Sequence, residues 1–284
     1  MNDIVNTDQR ANLPTTPEEM MAYMKAQAEA MAGDERRAGS SISAKNGILS
    51  VGDQPIPGNQ FAAIILDAAR LNTYYRDAYN PNNVAPPNCY AIGRNDAELA
   101  PHPDMQKDLN FFQPQAASCN GCPMNEYGSA RAGTQGKACS NRRRLMLLVA
   151  GHYEQGPQGW LLKPNTDPEY YKTAAMLNLT LAPTSLAGWG DFVRKSAADY
   201  QMPSFGVIAR VWCYMHPKHG KEAIGFEALA PTPPEWNPII IERHFEAQRE
   251  ILQGYEPPMQ NANNAPQRGG GFHAAQQSIQ GQVV

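Results

Sequence analysis

Four cysteines are the residues of this 284-residue chain whose types and spacing most clearly suggest chemistry. Cys119 and Cys122 form a C-x-x-C motif that contains a glycine, and Cys139 follows after a loop of ordinary length for a zinc site. Cys89, in the segment PPNC, is the best candidate for the fourth ligand, and His102 is the alternative. The spacing predicts a structural Zn²⁺ whose four protein ligands leave no coordination position for catalysis.

Other interpretations of the cysteines stay open. Four thiolates also bind iron–sulfur clusters. A redox C-x-x-C pair would leave Cys89 and Cys139 without a role, and buried cysteines can also lie near one another by chance. Cys213 stands apart in an apolar strand, where we expect a free, buried thiol.

Basic residues form two stretches in a chain whose net charge is −3. The triplet Arg142, Arg143 and Arg144 follows the last cysteine of the motif, and Arg210 and Lys218 lie in the second stretch. A loop pinned by zinc would present the triplet rigidly to phosphate groups. Arginine triplets are also common as solvated surface, so the triplet alone is weak evidence. His216 and His219, near Lys218, read as solvated turn histidines rather than a second metal site.

The segment from Val207 to His216 alternates in a way that indicates a strand. Its odd positions are apolar, whereas its even positions include Arg210, Trp212 and Tyr214. Aromatic rings beside a cation on an open strand face are typical of surfaces that stack unpaired bases. The alternative is a strand buried on both faces. No helix clusters Arg, Asn and Gln as a recognition helix for duplex DNA does, so the sequence favours single strands and leaves DNA or RNA open.

The chain also resembles a family in the order of its motifs: PPNC, SCNGCP, YGSARAGTQGKACSNRRRL, PTSLAGWGDFV and then a strand hairpin. Over about residues 41–256 this order is similar to bacteriophage single-stranded-DNA-binding proteins of replication and early transcription, among them the single-stranded-DNA-binding cofactor of a phage-encoded RNA polymerase. The resemblance implies DNA binding without catalysis and places the metal ligands at Cys89, Cys119, Cys122 and Cys139. It implies phage RNA polymerase or replication proteins as partners.

The helix and strand patterns around these residues predict an α+β fold, and the chain divides into three parts. Residues 1–40 read as a polar arm with a helix that begins in a capping box of Thr16, Pro17 and Glu19 and packs on the main domain. Residues 41–256 form one domain, a twisted antiparallel sheet with a zinc-stabilised loop module at 89–144 and flanking helices. An oligonucleotide-binding barrel is a candidate form for the sheet. Residues 257–284 are low in complexity and are expected to be disordered.

Two further helices are expected near the domain's C-terminal half. One lies in PTSLAGWGDFVRKSAADYQMP and is stopped by Pro203, and the residues on one of its faces are Leu186, Trp189, Val193, Ala197 and Tyr200. The other begins at Pro238, with Ile241, Phe245 and Ile251 inward.

Several features that the sequence lacks limit the functions that we expect of the chain. No apolar run is long enough to span a bilayer and the N-terminus is unlike a signal peptide, so we expect a cytoplasmic protein, in the host cell if viral, without a membrane partner. The rival functions are a metal-dependent nuclease or recombination enzyme acting on DNA, and a zinc-stapled adaptor between proteins. A nuclease would need clustered carboxylates for magnesium, and none stands out.

Overall fold

The computed structural model describes residues 16–25, 41–52, 54–77, 86–107, 112–130 and 135–254. The expectations for most of the N-terminal arm and for the disordered tail at 257–284 concern residues outside these ranges.

The predicted capping box at the start of the first helix is confirmed. Helix α1 covers residues 17–25 of the described chain. The backbone N–H of Glu19 donates to Oγ1 of Thr16 at 3.2 Å, and the Thr16 N–H donates to the Glu19 carboxylate at 3.1 Å. All described residues of α1 are exposed, including Met20 and Met24, so the expected packing on the main domain is not found in this part of the helix.

The rest of the described chain is a mixed α+β structure built on a ten-stranded sheet. The strands are β1 (Ser41–Lys45), β2 (Ile48–Val51), β3 (Gln54–Pro55), β4 (Gln60–Tyr74), β5 (Cys89–Gly93), β6 (Cys139–Gly156), β7 (Gly159–Pro164), β8 (Leu177–Leu181), β9 (Val207–Met215) and β10 (Glu222–Pro231). The helices are α2 (Pro168–Thr173), α3 (Leu186–Asp199) and α4 (Asn237–Glu250). The predicted α+β class is therefore confirmed.

Two long strands, β4 and β6, form the centre of the sheet. The order is β10-β9-β4-β6-β8-β1-β2-β3, and every pair is antiparallel except β1 with β8. Strands β4 and β6 pair along nearly their whole length, from Phe61 opposite His152 to Tyr74 opposite Cys139. The other edge of β4 pairs with β9 at its start and with β5 at its end. The start of β4 is therefore flanked by β9 and its end by β5.

The central strands are buried on both faces, and each face has its own core. Strand β4 reads FAAIIL near its start, and such a continuous apolar run is typical of a strand covered on both sides. The first core contains Ile65, Leu147 and Val211 with Trp189 and Phe192 of α3. The second core, on the opposite face, is completed by α2 and α4 with the following residues: Ile64, Leu148, Tyr171, Trp236, Ile240, Ala247.

Each of the two flanking helices packs on the sheet with part of the face that was expected: Leu186, Trp189 and Tyr200 of the first and Ile251 of the second contact the cores. In α3, Trp189 is buried as predicted, but Val193 is exposed and Phe192 packs inward instead.

In α4, Ile251 just past the helix end is buried as expected. The predicted inward residues Ile241 and Phe245 are 45 % and 56 % exposed, whereas Ile240 and Ala247 are buried. One step along a helix rotates a side chain by about 100°, so the run of three isoleucines at 239–241 left the choice of face undetermined.

Candidate nucleic-acid interface and cysteine cluster

The cysteine cluster, comprising Cys89, Cys119, Cys122 and Cys139, lies at the end of β4. Cys89 on β5 and Cys139 on β6 both stand opposite Tyr74 of β4. Cys119 and Cys122 come from the irregular segment between β5 and β6, which is attached to the sheet through a hydrogen bond from the Cys119 N–H to the Leu99 carbonyl at 2.9 Å. The structure therefore brings the four predicted ligands to one end of the sheet.

The four thiols influence one another electrostatically. Burial is the main cause that raises the pKa of Cys139 to about 12, and the negative charges that Cys119, Cys89 and Cys122 would carry add to it. Burial likewise raises the pKa of Cys89 and of Cys119. Two hydrogen bonds oppose these shifts: the backbone N–H of Gln115 donates to Cys89, and the side chain of Asn72 bonds the sulfur of Cys119. Without a cation, Cys89, Cys119 and Cys139 therefore favour their protonated form.

Metal binding at this cluster is not shown by its geometry. Within the described ranges, no group of three or more His, Cys, Asp or Glu side chains is arranged to hold a metal ion. All five cysteines are free thiols, and Cys213 is buried in the first core as the sequence predicts. Hydrogen bonds to the sulfurs of Cys89 and Cys119 are of the kind that orients and stabilises metal-bound thiolates.

His102, the alternative fourth ligand, is used elsewhere. Its ring stacks on Tyr90 with centroids 5.2 Å apart. Its Nδ1 accepts the Asp104 N–H at 3.2 Å, and its Nε2 lies 3.3 Å from the carbonyl oxygen of Leu252. With both ring nitrogens engaged by protein groups, His102 serves to join this loop to the end of α4.

A polar cavity of about 580 Å³, which we call the cationic pocket, adjoins the cysteine cluster. Its charged lining consists of Arg70, Lys137, Arg142, Arg143, Asp96 and Glu126. Arg70 and Arg143 stand directly opposite each other on β4 and β6. Two residues along each strand, Asn72 stands opposite Asn141. The Asn141 amide donates to the Asn72 side chain at 2.8 Å and to the Asn125 side chain at 2.9 Å. This chain of amides links the sheet to the cysteine-bearing segment.

The arginine triplet does not act as a unit in the structure. Arg142 and Arg143 line the cationic pocket. Arg144 instead reaches the segment after α4, where its Nη1 donates to the carbonyls of Ile251 at 3.2 Å and Gln253 at 2.7 Å. A cation that binds carbonyls just beyond a helix C-terminus stabilises that end, so the structure gives Arg144 a role in holding α4.

The predicted alternation of β9 is confirmed. Its odd positions from Val207 to Cys213 are buried, while Arg210 and Trp212 are half-buried and Tyr214 is exposed. The alternative of a strand buried on both faces is therefore wrong for this end of β9. Met215, which the pattern places inside, is 56 % exposed because the strand ends there.

The open face of β9 carries a row of rings, which we call the aromatic surface: Trp212, Tyr214 and His216, with Arg210 beside them. Successive ring centroids lie 6.5 Å and 6.4 Å apart, and His219 continues the row 4.6 Å from His216. Trp212 stands opposite Gly225 of β10, and a Cβ at Gly225 would collide with its indole. The indole therefore lies flat against the neighbouring strand.

Arg210 is held in place among these rings. Its guanidinium lies 5.0 Å from the Trp212 ring centroid and 5.8 Å from that of Tyr153 on β6. Its Nε donates to Gln60 at 2.7 Å, and its Nη1 lies 3.4 Å from the Glu227 carboxylate. Such fixation presents one cation at a defined position along the surface, although Glu227 partly neutralises it.

Trp160 extends the aromatic surface and was missed by sequence reasoning. It lies on β7, two residues before Leu162, which stands opposite Tyr153 of β6. Alternation places Trp160, Leu162 and Tyr153 on one face of the sheet. The Trp160 indole is 43 % exposed and packs across Gly58, where the Cβ of any other residue would lie only 2.8 Å from the ring. The sequence signal that could have identified it is a tryptophan directly after the Gly-rich turn GPQG.

Lys218 lies in the turn that follows β9, together with the predicted turn histidines. The Lys218 N–H donates to Nδ1 of His216 at 3.2 Å, and Lys218 is exposed. The turn thus places an exposed cation at the outer end of the aromatic surface.

The predicted DNA-contacting residues fall into two separate groups. Arg210 pairs across the sheet near Ala62, whereas Arg142 pairs with Leu71 of the same strand β4. At about 3.3 Å per residue, these positions are roughly 30 Å apart along β4. Arg143 and Arg210 also face opposite ways: Arg210 alternates with Ile208 of the second core, and Arg143 alternates with Leu145 of the first.

None of the helices in the part of the chain that the structure describes is long and apolar enough to cross a bilayer. Comparison of the chain with protein-family models, with curated proteins and with solved structures found no significant match.

Proposed function

We propose that the protein binds single-stranded DNA with little sequence preference and without catalysis. The observation that carries this proposal is the row of Trp212, Tyr214 and His216 on an open sheet face beside Arg210. Unpaired bases stack on aromatic rings, whatever their identity, and cations beside the rings neutralise the backbone. Duplex DNA hides its base faces, so this surface favours single strands.

The surface also has the extent that several stacked bases need. Ring spacings of 6.5 Å and 6.4 Å along β9 allow neighbouring bases to meet different rings. Trp160 and Tyr153 widen the same face on the β6–β7 side, and Lys218 adds a cation at its end. The resemblance of the motifs to phage proteins supports DNA as the ligand, replication or early transcription as the setting, and a phage RNA polymerase or replication protein as the partner. The oligonucleotide-binding barrel stays a prediction.

We further propose that Zn²⁺ binds the cysteine cluster and has a structural role. The support is the convergence of four thiols on one end of the sheet and the hydrogen bonds that reach two of the sulfurs. Zinc would join the irregular segment of Cys119 and Cys122 to strands β5 and β6.

The experiment that tests DNA binding replaces Tyr214, the most exposed ring of β9, by alanine. Loss of a stacking ring worth about 1–3 kcal/mol per base should weaken binding of a poly-thymidine oligonucleotide by about 5- to 150-fold. Tyr214 is 37 % exposed, so the melting temperature should change little. Trp212→Ala should weaken binding as well, but with a loss of stability because the indole packs on Gly225.

Phe245→Ala is the matched control, because Phe245 is an exposed aromatic residue on α4 and lies outside the aromatic surface. Unchanged affinity of folded Tyr214→Ala protein, or an equal loss with Phe245→Ala, would contradict the proposal. Cleavage of the oligonucleotide in the presence of magnesium would instead favour the nuclease alternative, and no binding of any oligonucleotide at low salt would favour the protein adaptor.

A further inference from the structure

The cationic pocket contains an unusual concentration of positive charge for a semi-enclosed site. Its lining has four cations, Arg70, Lys137, Arg142 and Arg143, against the two carboxylates Asp96 and Glu126, which leaves a net charge of +2. Its volume of about 580 Å³ lies within the range of small-ligand sites, about 300–1,000 Å³. The pocket is therefore both large enough and suitably charged for a small anion.

Arg70 and Arg143 form the centre of this charge. They stand opposite each other on adjacent antiparallel strands, where side chains are close and like charges destabilise each other. Burial is the main cause that lowers the pKa of Arg143, and the neighbouring charge of Arg70 lowers it further. The fold thus holds two guanidinium groups side by side at a free-energy cost that an anion between them would remove.

Arg70 also has an unused donor. Its Nη1 binds Asp96 at 2.8 Å, but the Asp96 side chain is 75 % exposed, and exposed ion pairs contribute little. Its Nε is buried and, among the residues that the structure describes, has no hydrogen-bond partner. A buried donor without an acceptor destabilises the folded chain. A bound oxyanion would supply the missing acceptor.

Phosphate is the anion that best fits these donors. Guanidinium groups bind phosphate oxygens through paired N–H donors. A phosphate monoester carries a charge between about −1.5 and −2 at pH 7, which matches the net charge of the lining, whereas the internal diester of a strand carries only −1. The amides of Asn72, Asn125 and Asn141 form a polar wall beside the arginines.

We propose that the cationic pocket binds a phosphate monoester, either the terminal phosphate of a nucleic-acid strand or that of a free nucleotide, between Arg70 and Arg143. This function is separate from stacking on the aromatic surface, because the pocket lies on the opposite face of the sheet. It assigns the protein a second recognition site that distinguishes a phosphorylated end from a hydroxyl end.

The test compares two thymidine oligonucleotides that differ only in a 5′-phosphate or a 5′-hydroxyl, each titrated calorimetrically into the full chain. We expect the phosphorylated strand to bind about tenfold more tightly, as charge-assisted hydrogen bonds predict. A strand with a 3′-phosphate and thymidine 5′-monophosphate are titrated as well. Binding of thymidine 5′-monophosphate on its own identifies a free nucleotide as the source of the phosphate. A gain in affinity from a 5′- or 3′-phosphate on a strand, without binding of the mononucleotide, identifies strand ends.

The variants Arg143→Gln and Arg70→Gln should each abolish the gain from the phosphate, measured for each variant as the ratio of its affinities for the 5′-phosphate and the 5′-hydroxyl strand. Arg194→Gln is the matched control, because Arg194 is 73 % exposed on α3 and pairs only with Asp191 among the ion pairs of the described chain. The comparison of strand ends needs no variant, so misfolding of a variant leaves it intact. The proposal is overturned if wild-type protein binds no mononucleotide and does not distinguish phosphorylated from hydroxyl ends. That result would leave the proposed function intact, since single-strand binding is measured with the hydroxyl strand.

Discussion

At the scale of single residues, the environment of Cys89, Cys119 and Cys139 in the cysteine cluster opposes ionisation of their thiols. Metal binding requires the thiolate, yet burial and the neighbouring sulfurs raise the pKa of Cys139 to about 12. The hydrogen bonds from Gln115 and Asn72 compensate only part of this effect at Cys89 and Cys119. A divalent cation would reverse the balance by favouring the deprotonated form of all four groups.

The first prediction concerns the pH dependence of stability in metal-free, reduced protein. Below pH 9, Cys139 is protonated in both the folded and the unfolded chain, so its contribution is fully present. Between its ordinary pKa of 9.0 and about 12 the unfolded chain loses this proton while the folded chain keeps it. The free energy of unfolding should therefore fall as the pH rises, by at most about 1.4 kcal/mol per pH unit from this group. Urea denaturation between pH 8 and pH 11 measures it.

Cys139→Ser is the control for this titration, because it removes the thiol and should flatten the decline. One equivalent of zinc should bind with release of protons and keep the protein stable at the higher pH. If the variant and the native protein show the same pH profile, or if folded protein takes up no zinc, the role given to the cluster is wrong.

At the scale of elements, the local patterns were predictable and the pairings were not. The capping box at Thr16 and the alternation of β9 depend on neighbours within a few residues, and both are confirmed. The inner face of α4 was assigned to Ile241 and Phe245, although Ile240 faces the sheet, because three consecutive isoleucines fit more than one orientation. Short-range periodicity determines that a helix is amphipathic but leaves its rotation to tertiary packing.

The cationic pocket shows the same limit for the candidate site. Arg143 was identified from the triplet, but its partner Arg70 lies on another strand in a segment that reads as an apolar core. Only the register of β4 on β6 places the two together, and a register is set by non-local contacts. Trp160 escaped notice for a similar reason, since β7 reaches the aromatic surface only through its pairing with β6.

The second prediction concerns the support that β10 gives to Trp212. Gly225→Ala places a methyl group where the indole lies, so the ring must leave its position against the strand. We expect a lower melting temperature, a changed tryptophan emission spectrum and weaker binding to poly-thymidine. Gly188→Ala is the matched control, because its Cβ would approach the Ile224 carbonyl oxygen at an ordinary 3.8 Å and alanine favours the helix. Native affinity and emission in the Gly225 variant would show that Trp212 is not held flat.

At the scale of the whole molecule, Arg143 of the cationic pocket and the aromatic surface lie on opposite faces of one sheet. Roughly 30 Å of strand separates them along β4, and the edge of the sheet lies between them. Under the proposed function, a short oligonucleotide would occupy one group at a time, whereas a long strand would pass around the edge and engage both. Two tethered contacts raise the overall affinity when the linking segment is long enough to span them.

The third prediction is that the effect of Arg143 depends on strand length. For an oligonucleotide of about 30 nucleotides, Arg143→Ala should flatten the slope of log affinity against log salt by about 0.7, the effect of one phosphate contact on single strands. For an oligonucleotide of about 6 nucleotides without a terminal phosphate, the slope should stay unchanged, because stacking on the aromatic surface dominates its binding. Equal changes for both lengths would mean that the two groups form one continuous site.

The continuity of β6 has a consequence for how the protein can be dissected. This one strand begins with Cys139, carries Arg142 and Arg143 along its first half, and reaches Tyr153 beside Arg210 in its second half. The chain therefore cannot be divided into fragments that each keep one site. A cut on either side of β6 removes a strand that every site shares. Fragments bearing only the cysteine segment or only the β9–β10 hairpin should fail to fold, and the tasks of this protein can be separated by point substitution but not by truncation.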